Sequence, residues 1–222
     1  MSLKGINLFE GLDDTVLEGI EKLASRREFK KGELLFMEGD EPACLWLILD
    51  GEVKVFKEFA SGKSAILGIF GPGSAVGAVA VIDGNSYPAG GQAATAGTAF
   101  TIKRDDVLNV ITSNPSIALR MMSDMGKKLR DLTGDLGSMS VQSVIRRLSR
   151  LLVKLAEKLG TVSGNDVEMG LFLTRKDLAE CIGTSFEVAV RGLRKLQDEK
   201  LIEIEGKKLI VRDMNKLREA AK

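Results

Sequence analysis

An α+β protein is predicted: short strands in the first half, a long helix in the middle, and two short helices with a hairpin at the end. Three observations carry this. Twelve of the 24 glycines fall between Gly32 and Gly97, where they separate short apolar runs. From Asn114 the apolar residues adopt heptad spacing. Beyond residue 174, two amphipathic segments flank a Gly-containing turn and precede a glycine-centred hairpin.

Taken in order, residues 13–24 read as a helix with Asp13 or Asp14 as its cap. ELLFM, LWLIL, VKVF, AILGIF and AFTIK then read as strands of a β-sandwich or barrel. LILDGEVKVF reads as strand, tight Asp-Gly turn and strand. Ala118, Met122, Met125, Leu129, Leu132 and Leu136 step by 4, 3, 4, 3, 4, the spacing of a helix seam. Pro115 suits the first turn of that helix. The seam fits either a helix packed on its own domain or a partner helix; with no wider apolar stripe visible, it points to the partner and a parallel homodimer. Gly134 and Gly137 mark a hinge, and a second helix runs over 141–159. After the loop TVSGND, LFLT reads as a strand ending in a cap at Thr174. RKDLAECIG is a short helix stopped at Gly183, and Thr184 or Ser185 caps the next, FEVAVRGLRKLQDEK. IEIEGKKLIV closes as a hairpin turning at Gly206-Lys207. The domains are drawn at 1–113 for the strand-rich part, 114–137 for the dimerisation helix and 138–222 for the rest.

Composition excludes much chemistry. The chain has no histidine, which removes His-based acid–base catalysis, catalytic triads, His-ligated haem and most zinc sites. Two cysteines do not make a four-thiolate iron–sulfur site. Their separation in sequence fits a reducing, cytoplasmic compartment. Cys44, just before LWLIL, reads as an ordinary half-buried thiol. No apolar run approaches the roughly 18 residues of a membrane helix, and no signal peptide is visible. Residues 1–140 hold 15 basic and 19 acidic side chains, whereas 141–222 hold 17 and 12. The basic half is the one expected to meet a polyanion. A β-barrel enzyme stays as the reading from another class, without a convergent carboxylate or cysteine motif to support it.

Two short helices around a Gly turn make a helix-turn-helix. Leu178, Ala179 and Ile182 of the first helix face Ala189, Leu193 and Leu196 of the second. The second then presents Ser185, Phe186, Glu187, Val190, Arg191, Arg194 and Lys195 outward. Glutamate accepts from cytosine N4, and arginine bonds guanine O6 and N7 together. Glu187 and Arg191 are i,i+4, so they reach one groove and orient each other. Phe186 offers an apolar ring to a thymine methyl. Gly192 costs about 1 kcal/mol against alanine in a helix, which points to close packing against the first helix of the pair.

FKKGELLFMEGDEPACLWLILDGEVKVF, GIFGPGSAVGAVAV and LTRKDLAECIGTSFEVAVRGLRKL resemble, in order, the cyclic AMP receptor protein/FNR superfamily of bacterial transcription regulators. The resemblance spans nearly the whole chain. It implies an N-terminal double-stranded β-helix (a jelly-roll of the cyclic-nucleotide-binding kind), a long dimerisation helix and a C-terminal winged helix-turn-helix. It implies no enzyme. Its expected partners are a second copy, double-stranded DNA and, if it activates, RNA polymerase, with no membrane. In the family, the residues matching Glu187 and Arg191 read G·C pairs, and those matching Arg175 and Lys207 touch phosphate. The expected DNA-binding set is Arg175, Thr184, Ser185, Phe186, Glu187, Arg191, Lys195 and Lys207. Phe186 stands where the cyclic AMP receptor branch has arginine. It looks more like the FNR branch, which prefers TTGA-type half-sites arranged as a palindrome.

Residues 73–91, GSAVGAVAVIDGNSYPAGG, match the family's ligand cassette, and Asp83 is their only charge. Cyclic AMP binders carry Gly-Glu where this chain has Gly77-Ala78, and Arg-Ser where it has Pro88-Ala89. The residue that meets adenine matches Leu132, next to Thr133. A buried phosphate without a cation costs several kcal/mol, roughly, so cyclic AMP is not expected. The provisional effector region is Val76, Gly77, Ala78, Val79, Ala80, Tyr87, Pro88, Ala89, Leu132 and Thr133. A filled core with a constitutive regulator, a small apolar ligand or haem held without histidine, and another nucleotide or anion on the 77–81 backbone all stay open. For an apolar ligand, Val76, Val79, Val81, Ile82 and Tyr87 would line the pocket with Leu132, and the Tyr87 hydroxyl would be its polar handle. The FNR-type N-terminal cysteine cluster is missing, which argues against direct iron–sulfur sensing.

Overall fold

The structure is a computed structural model that describes residues 3–141, 143–164, 166–206 and 208–221; the side chains of 131, 132 and 134–141 lie outside the description. The chain forms two compact units, Met1–Asp131 and Leu132–Lys222.

In the first unit, two 3-10 turns (Leu3–Gly5 and Asn7–Phe9) and α1 (Asp14–Leu23) precede the strands. Asp13 occupies the cap position of α1 without a side-chain bond. The strands are β1 (Ser25–Phe29), β2 (Leu34–Phe36), β3 (Cys44–Asp50), β4 (Val53–Glu58), β5 (Ser64–Phe70) and β6 (Ala75–Val76). After the short helix α2 (Ala78–Asp83) come β7 (Gly90–Ala93) and β8 (Gly97–Lys103), then helices α3 (Arg104–Ser113) and α4 (Pro115–Val141). The strands make two antiparallel four-stranded sheets, ordered β1-β8-β3-β6 and β2-β7-β4-β5. Phe29, Trp46, Ile48 and Ala99 of the first sheet share one core with Phe36, Val53 and Ala93 of the second. Leu45, Leu47 and Ile102 point the other way, into a core with Phe9, Leu17, Val107, Ile117 and Met121. Sheet β1-β8-β3-β6 is therefore covered on both faces, which is why LWLI reads as an unbroken apolar run.

The strand, Asp50-Gly51 turn and strand stand as read, but the two strands do not pair with each other: β3 pairs with β8 and β6, while β4 pairs with β5 and β7. The turn carries the chain from one sheet to the other. Gly51 has φ +80, and a Cβ there would lie 2.6 Å from the Ala96 carbonyl, so the crossing needs glycine.

In the second unit, α5 (Val144–Leu159) is followed by β9 (Thr161–Ser163), β10 (Asp166–Gly170), α6 (Arg175–Cys181), α7 (Phe186–Asp198), β11 (Ile202–Glu205), β12 (Lys208–Val211) and α8 (Met214–Ala220). Three expectations change here. The first helix does not break at Gly134 or Gly137; α4 continues to Val141, and Ser143 caps the next helix by accepting from Arg146 N–H. Glycine lowers helix propensity but does not by itself stop a helix. The loop TVSGND begins as strand β9, paired with β10. LFLT is not a strand: the sheet strand lies upstream at Asp166–Gly170, and Leu173 is a buried anchor before the cap.

Candidate nucleic-acid interface and sensing cassette

The helix-turn-helix is built from local signals. Thr174 Oγ1 accepts from Asp177 N–H at 3.0 Å, and Asp177 Oδ2 accepts from Thr174 N–H at 2.8 Å, a reciprocal capping box that starts α6. Gly183 ends the turn at φ +62, and Ser185 caps α7. Leu178, Ala179, Ile182, Ala189, Leu193 and Leu196 are all buried, as their spacing implies. Gly192 differs from expectation. A Cβ there would meet Leu148 at 3.2 Å and Ile145 at 3.5 Å, so the close neighbour is α5, not α6.

Arg175, Ser185, Glu187, Arg191, Arg194 and Lys195 are exposed, while Thr184 and Val190 are half-buried. Phe186 is 49% exposed. Lys195 Nζ lies 3.9 Å from Glu199. The Glu187 carboxyl sits below its ordinary range because it accepts from its own N–H and from the Ser185 hydroxyl, with Arg191 adding a smaller attraction. Lys207, expected in the wing, lies outside the described residues; Gly206 before it has φ +59, and Glu205 pairs with Lys208 across the hairpin. Arg212 bonds both Asp166 and Glu203, tying β10 and β11 to the segment after β12.

On α4, Ile117 and Met121 are buried against the β-sandwich. Leu119, Met122 and Leu129 are 68%, 67% and 63% exposed, and Ala118 and Met125 half-buried. The helix has two apolar faces where the sequence reading recognised one. The second is used within the unit; on the first, Met122 and Leu129 are exposed and Ala118 and Met125 half-buried. The side chains of Leu132 and Leu136 lie outside the described residues.

The cassette has turned its chemistry inward. The Tyr87 hydroxyl donates to the Cys44 carbonyl at 2.8 Å, and its ring stacks on Phe36 at 4.3 Å between centroids. Tyr87 N–H donates to Asp40 O, and its own carbonyl accepts from Gly39 N–H, both at 2.9 Å. Gly77, φ +84, sits so close that a Cβ would lie 3.0 Å from the Tyr87 ring. The five residues read as one apolar lining do not share a face. Val76, Ala80 and Tyr87 belong to the inter-sheet core and Val81 to the other core, while Val79 and Ile82 face solvent. A six-residue helix turns its side chains to all sides. Ala78 is half-buried, Ala89 buried, and Pro88 and Thr133 exposed. Burial pushes the Cys44 thiol upward, so it stays protonated at neutral pH.

Sequence reading missed one cassette residue. Lys57, on β4, places Nζ 3.1 Å from the Pro88 carbonyl and 2.7 Å from Glu38 Oε1. A cation does stand beside residues 73–91. It comes from a strand 31 residues earlier, so no local pattern signals it.

Residues 26–114 match the cyclic nucleotide-binding domain family, and residues 146–220 the Crp-like helix-turn-helix domain family. The chain is 24% identical over 215 residues to the CRP-like cAMP-activated global transcriptional regulator of Mycobacterium tuberculosis, covering 97% of this chain and 96% of the relative. It is 27% identical over 221 residues to the cyclic AMP receptor protein of Thermus thermophilus, covering 99% and 98%. Among solved structures, FixK2 from Bradyrhizobium japonicum superposes with a TM-score of 0.81 at 18% identity, over 90% of this chain and 98% of that one. The c-di-GMP responsive global regulator CLP of Xanthomonas campestris gives 0.75 at 23%, over 90% and 99%. The Mycobacterium tuberculosis relative is thus a global transcriptional regulator, and CLP a global regulator linked to gene expression. No helix among the described residues is long and apolar enough to cross a membrane.

Proposed function

Because the chain belongs to the CRP/FNR superfamily of transcription regulators, we propose that it reads a palindrome of TTGA-like half-sites as a homodimer and does so without cyclic AMP. Family membership brings DNA and a second copy of the chain as partners. The finer reading assigns base contacts to Phe186, Glu187 and Arg191 and phosphate contacts to Arg175 and Lys207, with Thr184, Ser185 and Lys195 completing the DNA-binding set. The exposure of Met122 on the heptad face of α4 supports the seam, which Leu129, Leu132 and Leu136 extend. RNA polymerase joins the partners if the protein activates, and the proposed compartment is the reducing cytoplasm.

The observation that carries the ligand reading is the Tyr87–Cys44 bond with the Phe36 stack. The polar handle of the apolar-pocket reading is satisfied by the protein, and Ala78, Pro88 and Leu132 offer no ribose, phosphate or adenine partner. Fluorescence anisotropy with a synthetic palindromic duplex tests this. Binding is expected without nucleotide and unchanged at about 1 mM cyclic AMP; a cyclic AMP requirement overturns it. Leu129→Glu places two like charges in the seam and should give monomers in analytical ultracentrifugation.

Lys57 favours a second reading, an anion other than cyclic AMP held near the 77–81 backbone, with the ammonium moving from Glu38 to the ligand. Lys57→Met would abolish such binding and leave ligand-free DNA affinity intact.

A further inference from the structure

Helix α4 packs on its own domain with one side and exposes apolar side chains on the other, and together the two sides fix a register. Ile117 and Met121 are buried in the core beneath the sandwich. Further along, the Lys128 ammonium stands 4.7 Å from the centre of the Phe70 ring on β5. At about 100° per residue, these three lie within about 40° of one another and mark the inner line of the helix. Ala118 and Met125 fall about 60–80° from that line, Met122 and Leu129 about 100–120°, and Leu119 and Gly126 about 160–180°. Exposure follows the same order: Ala118 and Met125 are half-buried, Met122 and Leu129 are 67% and 63% exposed, and Leu119 reaches 68%. Leu119 stands outside the heptad set read from the sequence. Gly126 adds an observation of a different kind. Glycine is a poor helix former, yet this one sits inside a helix of 27 residues. Its φ is not positive, so the backbone does not call for glycine. A Cβ there would meet only the guanidinium end of Arg130, at 3.6 Å, so no described neighbour within the chain needs the space.

We propose that a second copy of this chain docks along Leu119, Met122, Gly126 and Leu129, with the two helices closest at Gly126. The seam thus runs through Leu119 and Gly126 in place of Ala118 and Met125. The steps between its residues are 3, 4 and 3, and Thr133 and Leu136 continue them. A parallel pair with this spacing sets each residue against its own copy across a two-fold axis. Side chains at the contact set the separation of packed helices. Glycine facing glycine lets the backbones approach where a Cβ on each would hold them apart. Ala118 and Met125 then flank the seam on the side of their own sandwich, and Leu119 is covered by the partner. The occupant is a second copy because family membership brings one and because the line has the spacing with which like helices pair. The inference rests on the homodimer reading above and assigns the residues that carry it.

Variants of the full-length protein, followed by analytical ultracentrifugation over a dilution series, separate the two registers. Leu119→Glu faces its own copy only in the proposed seam and should raise the dimer dissociation constant by about tenfold or more. Ala118→Glu, on the flank, should leave it within about threefold. Gly126→Leu should force the helices apart and raise it by about tenfold, with a smaller rise for Gly126→Ala. Beside a seam through Ala118 and Met125, the added leucine would leave the dimer unchanged or tighten it. Leu119 is exposed, and leucine and alanine favour a helix more than glycine does, so circular dichroism should show each variant folded. An Ala118→Glu protein that dissociates as readily as Leu119→Glu overturns the register, and so does a Gly126→Leu protein that dimerises as well as the parent. Leu129 belongs to both seams. If Leu129→Glu still sediments as a dimer, the homodimer reading of α4 fails first and this inference with it.

Discussion

The cassette at 73–91 and the reading head at 174–198 come from the same family plan, yet they direct their polar groups oppositely. In the reading head, the capping side chains finish the helix starts and Glu187, Arg191, Arg194 and Lys195 face outward. In the cassette, Tyr87 faces inward to Cys44 and Phe36, and Lys57 is tied to Glu38 and Pro88. A protein surface that must bind a polyanion keeps its donors in water until the partner displaces it. Buried polar groups have to be satisfied within the protein, because an unpaired one costs about 1–3 kcal/mol. The contrast teaches that a polar group is directed by the surface it serves: outward where it lies on an exposed helix, inward where the sandwich core encloses it.

The comparison breaks most sharply if the cassette still takes a cyclic nucleotide. Each lost charged contact is worth roughly 1.5–3 kcal/mol, so the absence of two weakens binding by about a hundredfold or more. Calorimetry with cyclic AMP and cyclic GMP to about 1 mM should show no specific heat. Ala78→Glu with Pro88→Arg should restore measurable binding if the cassette backbone has kept the family's shape. Micromolar binding by the unaltered protein sinks the comparison.

The next effect lies in the reading head. Arg191→Ala should cost roughly 1–3 kcal/mol on a G-containing half-site and relax preference there. Competition binding with half-site variants measures it; an unchanged ranking removes Arg191 from the base contacts.

A smaller effect sharpens the cassette side. Tyr87 is the only tyrosine of the chain, so its ionisation is read directly by ultraviolet absorbance. Burial pushes it up to about 12. The folded value exceeds the unfolded one of about 10, so its contribution to stability is complete below pH 10, roughly, and is lost as pH rises towards 12. Tyr87→Phe should remove this alkaline loss and cost on the order of 1 kcal/mol near neutrality, without changing half-site preference. An ordinary titration near 10 in the folded protein contradicts the inward-facing cassette.

The smallest effect is Arg175→Ala. As a phosphate contact at the exposed start of α6, it should weaken all duplexes alike and lower the salt slope by about one unit per subunit. A change confined to one base pair would move Arg175 from phosphate to base readout.

Much of this was legible in the chain. The cap at Thr174, the stop at Gly183, the buried faces of α6 and α7 and the outward charges all follow from spacing within a single helix pair, where neighbours in sequence are neighbours in space. Composition removed histidine chemistry, and the residues at 78, 88 and 132 argued against cyclic AMP before any contact was known. Tertiary structure alone decided the rest, because it depends on partners far apart along the chain. An Asp-Gly turn reads the same whether its strands pair or part, and only the pairing of β3 with β8 and β4 with β5 sends them into different sheets. The cation beside the cassette comes from Lys57 on β4, the partner of Gly192 from α5, and the second face of α4 from a sandwich laid down by earlier strands. Local sequence determines which residues form a helix, a cap or a turn. Which of them meet is determined by the packing that closes the loops between them.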